Sequence, residues 1–321
     1  MTVSWGILAT GNIAHKLAND LALVPGHRLG AVGSRSAGSA DAFAHEHGDA
    51  DTRAHGSYEA LAADPDIDVV YVATPHSRHV EDVRLCLTAG KHVLCEKPLT
   101  LESDSARELV AAARAAGLFL AEAMWMRTNP AIRRAVELAH DGTIGTVRQV
   151  RADLGFVGPR DRDRLWRPEL GASALLDIGI YPLTLANLVL GAPEKLTAAA
   201  HLDENGVDLS GGATLVHAGG AVSNLSWTQE SWSDSRASIA GDLGRIELPP
   251  RFHHPDHLDL VIDDVSERIA LPRTGLGYSH EIEEVGRCLA EGRTESALLP
   301  LDPTLDVMAQ LDRLRANFTD V

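Results

Sequence analysis

A lysine, an aspartate and a tyrosine in this chain have residue types and spacings that suit acid–base chemistry. Lys97 follows the short apolar run 92–95 and one acid, and a proline comes next. A lysine at the carboxyl end of a parallel strand lies where α/β folds bind ligands. Asp177 and Tyr181 come about eighty residues later, four positions apart, which places them on one face of a helix. Together these groups can move a proton while a nicotinamide moves a hydride.

The three side chains suggest distinct roles in the oxidation of an alcohol. Free tyrosine, with a pKa of about 10, is a poor base near neutrality, but a nearby ammonium lowers that pKa. We therefore expect Tyr181 to be the acid and base, and Lys97 its electrostatic partner and a donor to the substrate oxygen. Asp177 would hold the substrate hydroxyl or orient Lys97. Two alternatives stay open: Lys97 carries the proton itself, or Lys97 and Tyr181 are an ordinary loop lysine and core tyrosine.

The first 120 residues alternate apolar strands with alanine-rich helices. The predicted strands are Val3–Ala9, Arg28–Ser34, Val69–Ala73, His92–Cys95 and Leu118–Glu122. The predicted helices are Ile13–Leu23, Ala37–His47, Ser57–Ala63, His79–Ala89 and Ser103–Ala116, with one more at Pro130–His140. This alternation is typical of an α/β protein with a doubly wound parallel sheet, the Rossmann arrangement. We assign residues 1–123 to this domain.

Beyond residue 123 the pattern changes to consecutive strands. They are predicted at Val147–Phe156, Lys195–Leu202, Gly211–His217, Ala221–Trp227, Ser235–Ala240, Gly244–Leu248, Leu258–Ile262 and Glu267–Leu271. Consecutive strands indicate a large, mainly antiparallel open sheet, so residues 124–321 are assigned to a second α/β domain. Closing helices predicted at Ser279–Glu291 and Asp302–Ala316 would pack back on it. Because the sheet has more strands than helices to cover it, we expect a homodimer or higher oligomer through its open face.

The first predicted strand leads into Ala9-Thr10-Gly11-Asn12-Ile13-Ala14, in the position of a GxGxxG phosphate loop. Gly11 would let the backbone approach a pyrophosphate, and the following helix would supply unpaired N–H groups. Ala9 replaces the first glycine of the motif. The alternative is a tight strand–helix turn. We expect this loop to bind the cofactor through Thr10, Gly11, Asn12 and Ile13.

The end of the second strand favours NADP over NAD. An NAD site usually has an acid there for the ribose hydroxyls, whereas this chain has Ser34 and Arg35. Ser34 can bond a 2′-phosphate, and Arg35 can pair with it and cover the adenine. The alternative is a solvent-exposed turn. The end of the next predicted strand would line the ribose and pyrophosphate with Thr74, Pro75, His76 and His79, although the histidines could be ordinary residues at a helix start.

Composition narrows the classes of partner. The 321 residues carry a formal net charge of −16, and such a surface repels nucleic acid and anionic lipid. Three cysteines without CxxC spacing indicate neither a disulfide framework nor a zinc site. We see no export signal and no apolar stretch of membrane-spanning length, so we expect a cytoplasmic protein without a membrane partner. The histidine-rich run 253–257 is interpreted as a surface or pocket-edge loop rather than a metal cluster, and no metal is expected.

These motifs together resemble the Gfo/Idh/MocA oxidoreductase family. The landmarks are Thr10-Gly11-Asn12-Ile13-Ala14, Ala73-Thr74-Pro75, Glu96-Lys97-Pro98 and Asp177-x-Gly179-x-Tyr181. Within the family, the segments 121–127 and 165–181 look closest to the branch of dihydrodiol and D-xylose dehydrogenases. The resemblance implies a Rossmann domain, an open sheet that often forms the dimer face, an NADP-linked activity, and chemistry carried by Lys97 and Tyr181. It also implies cofactor contacts through Glu96, Lys97, Trp166 and Arg167, and a cis Lys97–Pro98 peptide.

The sequence therefore predicts an NADP-dependent dehydrogenase that acts on a hydroxyl or carbonyl of a sugar or cyclic diol, with NAD as a possible cofactor. Trp125, Phe156 and Tyr278 could form an apolar substrate wall, although core packing would explain each equally well. Two other functions stay open. One is a cofactor-binding sensor on the same fold, and the other is a hydrolase that uses its bound cofactor for transient oxidation.

Overall fold

The computed structural model describes residues 2–320 of the chain, with side chains through residue 318. The chain forms two compact units. Unit 1 contains residues 1–128 and 274–305, and unit 2 contains residues 129–273 and 306–321. The predicted boundary at residue 123 lies within a few residues of the first crossing. Of the two closing helices predicted to pack on the second domain, Ser279–Glu291 lies in unit 1, whereas most of Asp302–Ala316 lies in unit 2.

Unit 1 contains a six-stranded parallel sheet in the order β3-β2-β1-β4-β5-β6. Its strands are β1 Val3–Leu8, β2 His27–Gly33, β3 Arg53–His55, β4 Val69–Val72, β5 His92–Glu96 and β6 Leu120–Ala123. The strand order reverses between β1 and β4, and in doubly wound sheets ligands bind at the carboxyl ends of the strands beside such a reversal. The predicted Rossmann domain is confirmed.

The helices of unit 1 follow the strands as the sequence predicts. They are α1 Asn12–Leu21, α2 Ala37–His47, α3 Tyr58–Ala62, α4 His79–Thr88, α5 Ser103–Ala116 and, from the end of the chain, α8 Ser279–Ala290. The central strands β1 and β4 are buried along their whole length, as expected of a sheet covered on both faces. Trp5 and Tyr71 are the largest side chains buried between these layers.

A buried aspartate joins α8 to unit 1. Asp20, near the end of α1, accepts hydrogen bonds from the backbone N–H groups of four consecutive residues, 276–279, where α8 begins. Only 1% of Asp20 is exposed. An acid at a helix N-terminus satisfies N–H groups that the helix itself cannot pair. This contact between residues more than 250 positions apart explains why α8 belongs to unit 1.

Unit 2 contains a nine-stranded sheet in the order β14-β13-β12-β11-β7-β10-β9-β8-β15. Its strands are β7 Val147–Gly155, β8 Lys195–Leu202, β9 Asp208–Val216, β10 Val222–Thr228, β11 Ala237–Gly241, β12 Gly244–Leu248, β13 His257–Ile262, β14 Val265–Ala270 and β15 Thr319–Asp320. Seven of the nine follow one another closely in sequence, and most pairs are antiparallel, as predicted. The pairs β7–β10 and β8–β15 are parallel.

Unit 2 also contains helices α6 Pro130–His140 and α7 Ile180–Leu190, and most of α9 Leu301–Ala316. One face of the sheet packs against α7 through β7 and β10. Along β10 the buried residues Ser223, Leu225 and Trp227 alternate with the exposed Asn224 and Ser226. This alternation is typical of a sheet with one face on the core.

The expectation that no apolar stretch is long enough to span a membrane is wrong for one segment. The helical segment Pro168–Leu190, which includes α7, is long and apolar enough to cross a membrane, with a mean hydropathy of 1.5. However, 83% of its most apolar window is buried inside the structure. The segment is therefore buried as the core helix of a globular protein is, and such helices can be equally long and apolar.

Candidate active site

The phosphate loop has the backbone shape that its motif predicts. Ala9 has a φ of +82°, in the region that favours glycine, so Ala9 keeps the conformation of the glycine it replaces. Gly11 precedes α1 and provides no side-chain cap. A Cβ added at Gly11 would meet nothing within 4 Å. Packing within the protein therefore does not require glycine here, whereas close approach of a phosphate does. The loop fits a dinucleotide pyrophosphate at the N-terminus of α1.

At the end of β2, the structure separates the two residues predicted to read a 2′-phosphate. Ser34 is buried, and its hydroxyl accepts a hydrogen bond from the N–H of Ser36 at 3.4 Å. Arg35 is exposed. Burial raises the pKa of Tyr58, and a hydrogen bond from Arg35 opposes that shift. The guanidinium of Arg35 thus lies beside the Tyr58 hydroxyl, at the edge of the sheet where an adenosine ribose would bind.

The segment that follows β4 contains two buried histidines, His76 and His79. His76 begins a single 3₁₀ turn, His76–Arg78. His79 is fully buried, and its ring nitrogens lie 2.8 Å from the carbonyl of Pro98 and 3.0 Å from that of Thr74. Burial lowers the pKa of His79 although both carbonyls favour its charged form. His79 therefore fixes the backbone of two neighbouring loops and has no ring nitrogen left for a ligand.

Lys97 lies in a turn that buried carboxylates hold on both sides. The Lys97–Pro98 peptide is cis, as the resemblance implies. The Glu96 carboxylate accepts the backbone N–H of Lys97 at 3.2 Å and also the hydroxyl of Tyr71. Burial and the charge of Glu96 raise the pKa of Tyr71 well above its usual value, so Tyr71 stays a hydrogen-bond donor.

A second carboxylate, Glu122 at the end of β6, accepts the N–H of Leu99 at 2.9 Å. Burial raises the pKa of Glu122, while the Leu99 N–H and the charges of Arg127 and Lys97 oppose that shift. Together with His79 on the Pro98 carbonyl, these groups fix each residue of the turn 97–99. Only 9% of Lys97 is exposed.

The predicted substrate wall is divided between the two units. In unit 1, the rings of Trp125 and Tyr278 stack with centroids 4.4 Å apart and planes 8° apart. Phe156, which follows β7 in unit 2, is half-buried. Sequence alone does not link Trp125 to Tyr278, because more than 150 residues separate them.

In unit 2, Asp177 and Tyr181 lie in one continuous helical segment. Asp177 is in the π-helical turn Leu175–Gly179, and Tyr181 is in the first turn of α7. Such single turns inside helices often occur at functional sites. The turn is fixed by Asp208, whose buried carboxylate accepts the N–H of Leu175 at 2.6 Å. Burial raises the pKa of Asp208, and hydrogen bonds from Ser173 and Leu175 oppose the shift.

Two residues outside the predicted catalytic set contact this pair. Arg164 lies 3.1 Å from the Asp177 carboxylate, and the His253 ring lies 4.7 Å from the Tyr181 ring. The His253 contact agrees with a pocket-edge position for the 253–257 loop, whereas His257 pairs with Asp256 at 2.6 Å. The charged run 160–164 is the only sequence signal for Arg164.

The predicted cofactor contacts Trp166 and Arg167 lie on a loop of unit 2. The indole N–H of Trp166 donates to the carbonyl of Pro159 at 2.9 Å, and Arg160 lies 3.7 Å from the ring centroid. Arg167 pairs with Glu169 and Asp163, and these hydrogen bonds raise its pKa. Both side chains are engaged with their own loop.

Comparison with known proteins identifies the class. Residues 3–123 match the family described as "Oxidoreductase family, NAD-binding Rossmann fold", and residues 132–247 match the GFO/IDH/MocA C-terminal domain. A trans-1,2-dihydrobenzene-1,2-diol dehydrogenase of Xenopus laevis is 36% identical over 316 residues, which cover 94% of this chain and 93% of that protein. The human protein of the same name is 35% identical over 94% of this chain and 92% of its own length.

Solved structures agree. A 3-ketoreductase from Actinomadura kijaniata, KijD10, in complex with NADP and TDP-benzene, matches with a TM-score of 0.90 and 27% identity over 100% of this chain and 99% of that chain. The fold is also shared by an aldose-aldose oxidoreductase from Caulobacter crescentus, with a TM-score of 0.89, 24% identity and coverage of 99% and 97% of the two chains. The chain belongs to the GFO/IDH/MocA oxidoreductase family. It is an NAD(P)-dependent oxidoreductase.

Proposed function

We propose that this chain is an NADP-dependent dehydrogenase or reductase that interconverts CH–OH and C=O groups of a sugar or cyclic diol. The observation that carries the proposal is the Lys97 turn. Glu96, Glu122 and His79 each fix a different residue of this turn at the carboxyl edge of the parallel sheet. A lysine held so closely beside a predicted nicotinamide site suits the positioning of a reacting oxygen.

We assign the chemical roles as the sequence predicts. Tyr181 gives and takes the proton, and Lys97 stabilises negative charge on the substrate oxygen. The carboxylate of Asp177, paired with Arg164, accepts a hydrogen bond from a neighbouring substrate hydroxyl. The bound dinucleotide supplies or accepts the hydride. In the other assignment, Lys97 moves the proton itself.

NADP is proposed as the preferred cofactor because the chain provides a cation and no acid after β2. Gly11 would admit the pyrophosphate, Arg35 would pair with the 2′-phosphate and Ser34 would shape the turn. Thr10, Asn12, Ile13, Thr74, Pro75, His76, Trp166 and Arg167 are proposed as further cofactor contacts, with His79 and Glu96 positioning them. KijD10, which was solved with NADP, supports this preference.

The substrate class follows from the relatives and from the aromatic residues. One set of relatives is named for a dihydrobenzene diol, and KijD10 is named for the reduction of a 3-keto group. The stacked pair Trp125 and Tyr278, together with Phe156, would provide an apolar wall for the face of such a ring. Lysine and tyrosine are also the residue types replaced in solved variants of KijD10.

We further propose a homodimer formed through the open face of the unit 2 sheet. That face presents small and polar side chains in shallow depressions around Ala199, Gly212 and Ser226. Flat surfaces of such residues allow two sheets to approach closely.

We also propose that the protein is located in the cytoplasm. Its cysteines Cys86, Cys95 and Cys288 are buried and free, which fits a reducing compartment.

The test is a spectrophotometric screen of diols, aldoses, inositols and anhydrosugars with NADP and with NAD. We expect NADPH to form with cyclic diols or sugars, one equivalent for each substrate oxidised. If the protein binds the cofactor but converts none of the compounds in the screen, the sensor function is supported instead. Hydrolysis of a glycoside without net NADPH would support the hydrolase.

A further inference from the structure

We propose that His15, Glu46 and His47 form a site for one divalent transition-metal ion, which links helices α1 and α2 of unit 1. Nδ1 of His15 lies 2.7 Å from Nε2 of His47. The Glu46 carboxylate oxygen lies 3.6 Å from the first nitrogen and 3.4 Å from the second. Three potential ligand atoms therefore form a compact triangle.

The size of this triangle matches a metal site. Ligand atoms bound to zinc at about 2.0–2.1 Å in tetrahedral geometry lie about 3.3 Å from one another. Two of the three distances are within a few tenths of an ångström of that value. The shorter distance joins the two imidazoles, which share a hydrogen bond in the absence of metal. When metal binds, the shared proton moves to the other nitrogen of its ring, and the two ligand nitrogens move apart by about half an ångström.

Packing holds the two imidazole rings in place. Phe43 is buried, and its ring centroid lies 4.6 Å from those of both His15 and His47. The side chain of His47 is 6% exposed and that of His15 is 35% exposed. Rings that are already ordered lose little conformational entropy when they bind an ion. Glu46 is 59% exposed, so an ion can enter from solvent on its side.

The donor set selects the chemical class of ion. Two neutral imidazoles and one carboxylate are the protein ligands of several zinc sites that keep an open fourth position for water. Nitrogen ligands suit zinc, cobalt, nickel and copper, whereas magnesium and calcium prefer sites made of oxygen atoms. Zinc or a related ion is therefore the expected occupant.

The position of the site gives the ion a structural effect. His15 is in the first half of α1, which begins directly after Gly11, and His47 ends α2. The two histidines are 32 positions apart, so only the folded chain brings them together. An ion that binds the native state alone raises its stability by mass action. We expect bound metal to stabilise unit 1 next to the phosphate loop.

The experiment uses the full chain after treatment with a chelator and buffer exchange. Zinc chloride is titrated calorimetrically into wild type and into His15→Gln, His47→Gln and Glu46→Gln. His45→Gln is the matched control, because His45 is exposed on the same helix and outside the triangle. We expect one zinc per chain with a dissociation constant of about 1 μM or tighter, weakened about a hundredfold in each histidine variant and about tenfold in Glu46→Gln. His45→Gln should bind as wild type does.

Thermal unfolding gives a second readout that needs no substrate. Zinc in excess should raise the melting temperature of wild type and of His45→Gln equally, and should have little effect on His15→Gln or His47→Gln. Cobalt added in place of zinc should give the visible absorption of a four-coordinate ion in wild type and in His45→Gln, but not in His15→Gln or His47→Gln. The proposal is overturned if wild type binds zinc no tighter than about 100 μM, or if the triangle variants that fold bind it as tightly as His45→Gln does.

Discussion

Replacing the buried acid Glu281 with glutamine should change how stability depends on pH. Glu281 is in the first turn of α8 and is fully buried, and both carboxyl oxygens lack a hydrogen-bond partner among residues 2–320. Burial raises the pKa of Glu281 well above its usual value, and the nearby charges of Glu96 and Asp20 raise it further. The folded protein therefore holds the Glu281 proton more tightly than the unfolded chain does.

The sign and size of the effect follow from proton linkage. Above a pH of about 4.5 the unfolded chain loses the Glu281 proton while the folded chain keeps it, so rising pH favours unfolding. This group alone lowers the free energy of unfolding by about 1.4 kcal/mol for each pH unit until its folded pKa is reached. Glutamine has the same shape and does not titrate. The stability of Glu281→Gln relative to wild type should therefore increase from pH 5 to pH 7, by up to about 1.4 kcal/mol for each pH unit.

Urea unfolding followed by tryptophan fluorescence at the two pH values measures this change. Glu283→Gln is the matched control, because Glu283 is exposed on the same helix. Its stability relative to wild type should stay nearly constant. If the difference between Glu281→Gln and wild type is the same at pH 5 and pH 7, Glu281 is ionised in the fold and the reasoning about its burial fails.

Three further predictions concern the cofactor, the phosphate loop and the dimer. Arg35→Ala should raise the Michaelis constant for NADP at least tenfold, about 1.4 kcal/mol, and barely change that for NAD; an equal loss for both would show that Arg35 does not read the 2′-phosphate. Ala9→Gly should raise the free energy of unfolding in urea by about 1 kcal/mol, because the positive φ of Ala9 is strained, and an unchanged or lower value would argue against strain. In analytical ultracentrifugation, Ser226→Arg on the open sheet face should convert the dimer to a monomer, whereas Ser266→Arg on the edge strand should leave it a dimer. A wild-type protein that is monomeric at micromolar concentration would refute the dimer.

The sequence predicts the parts of this structure that depend on short-range patterns. The alternation of apolar strands and alanine-rich helices locates the parallel sheet, and Gly11 marks the phosphate loop. The three-residue strand β3 was missed, because Arg53–His55 is too short and polar to form an apolar pattern. The positive φ of Ala9 is suggested by the motif, but only the backbone shows that alanine retains the conformation of glycine.

The parts that escape prediction depend on contacts between distant residues. Asp20 appears in sequence as an ordinary helical acid, yet it fixes the start of α8 and so changes the division of the chain into units. Glu122 appears only as the end of a strand, and its bond to Leu99 depends on how β6 lies beside β5. Asp208 lies at the start of β9 and stabilises the π-helical turn that contains Asp177. No local pattern identifies such partners.

The measurement that tests the central claim most directly is steady-state turnover of Lys97→Met, Tyr181→Phe and the double variant, beside an NADPH fluorescence titration of each. Each single variant should lose about two to four decades of turnover, the usual span for acid–base catalysis, while NADPH binding is retained. The double variant should be little worse than either single one, because groups that act as a unit are not additive. Lys195→Met, which removes an exposed charge on β8, should turn over normally. Near-normal turnover in Lys97→Met or Tyr181→Phe, with folding intact, would contradict the account.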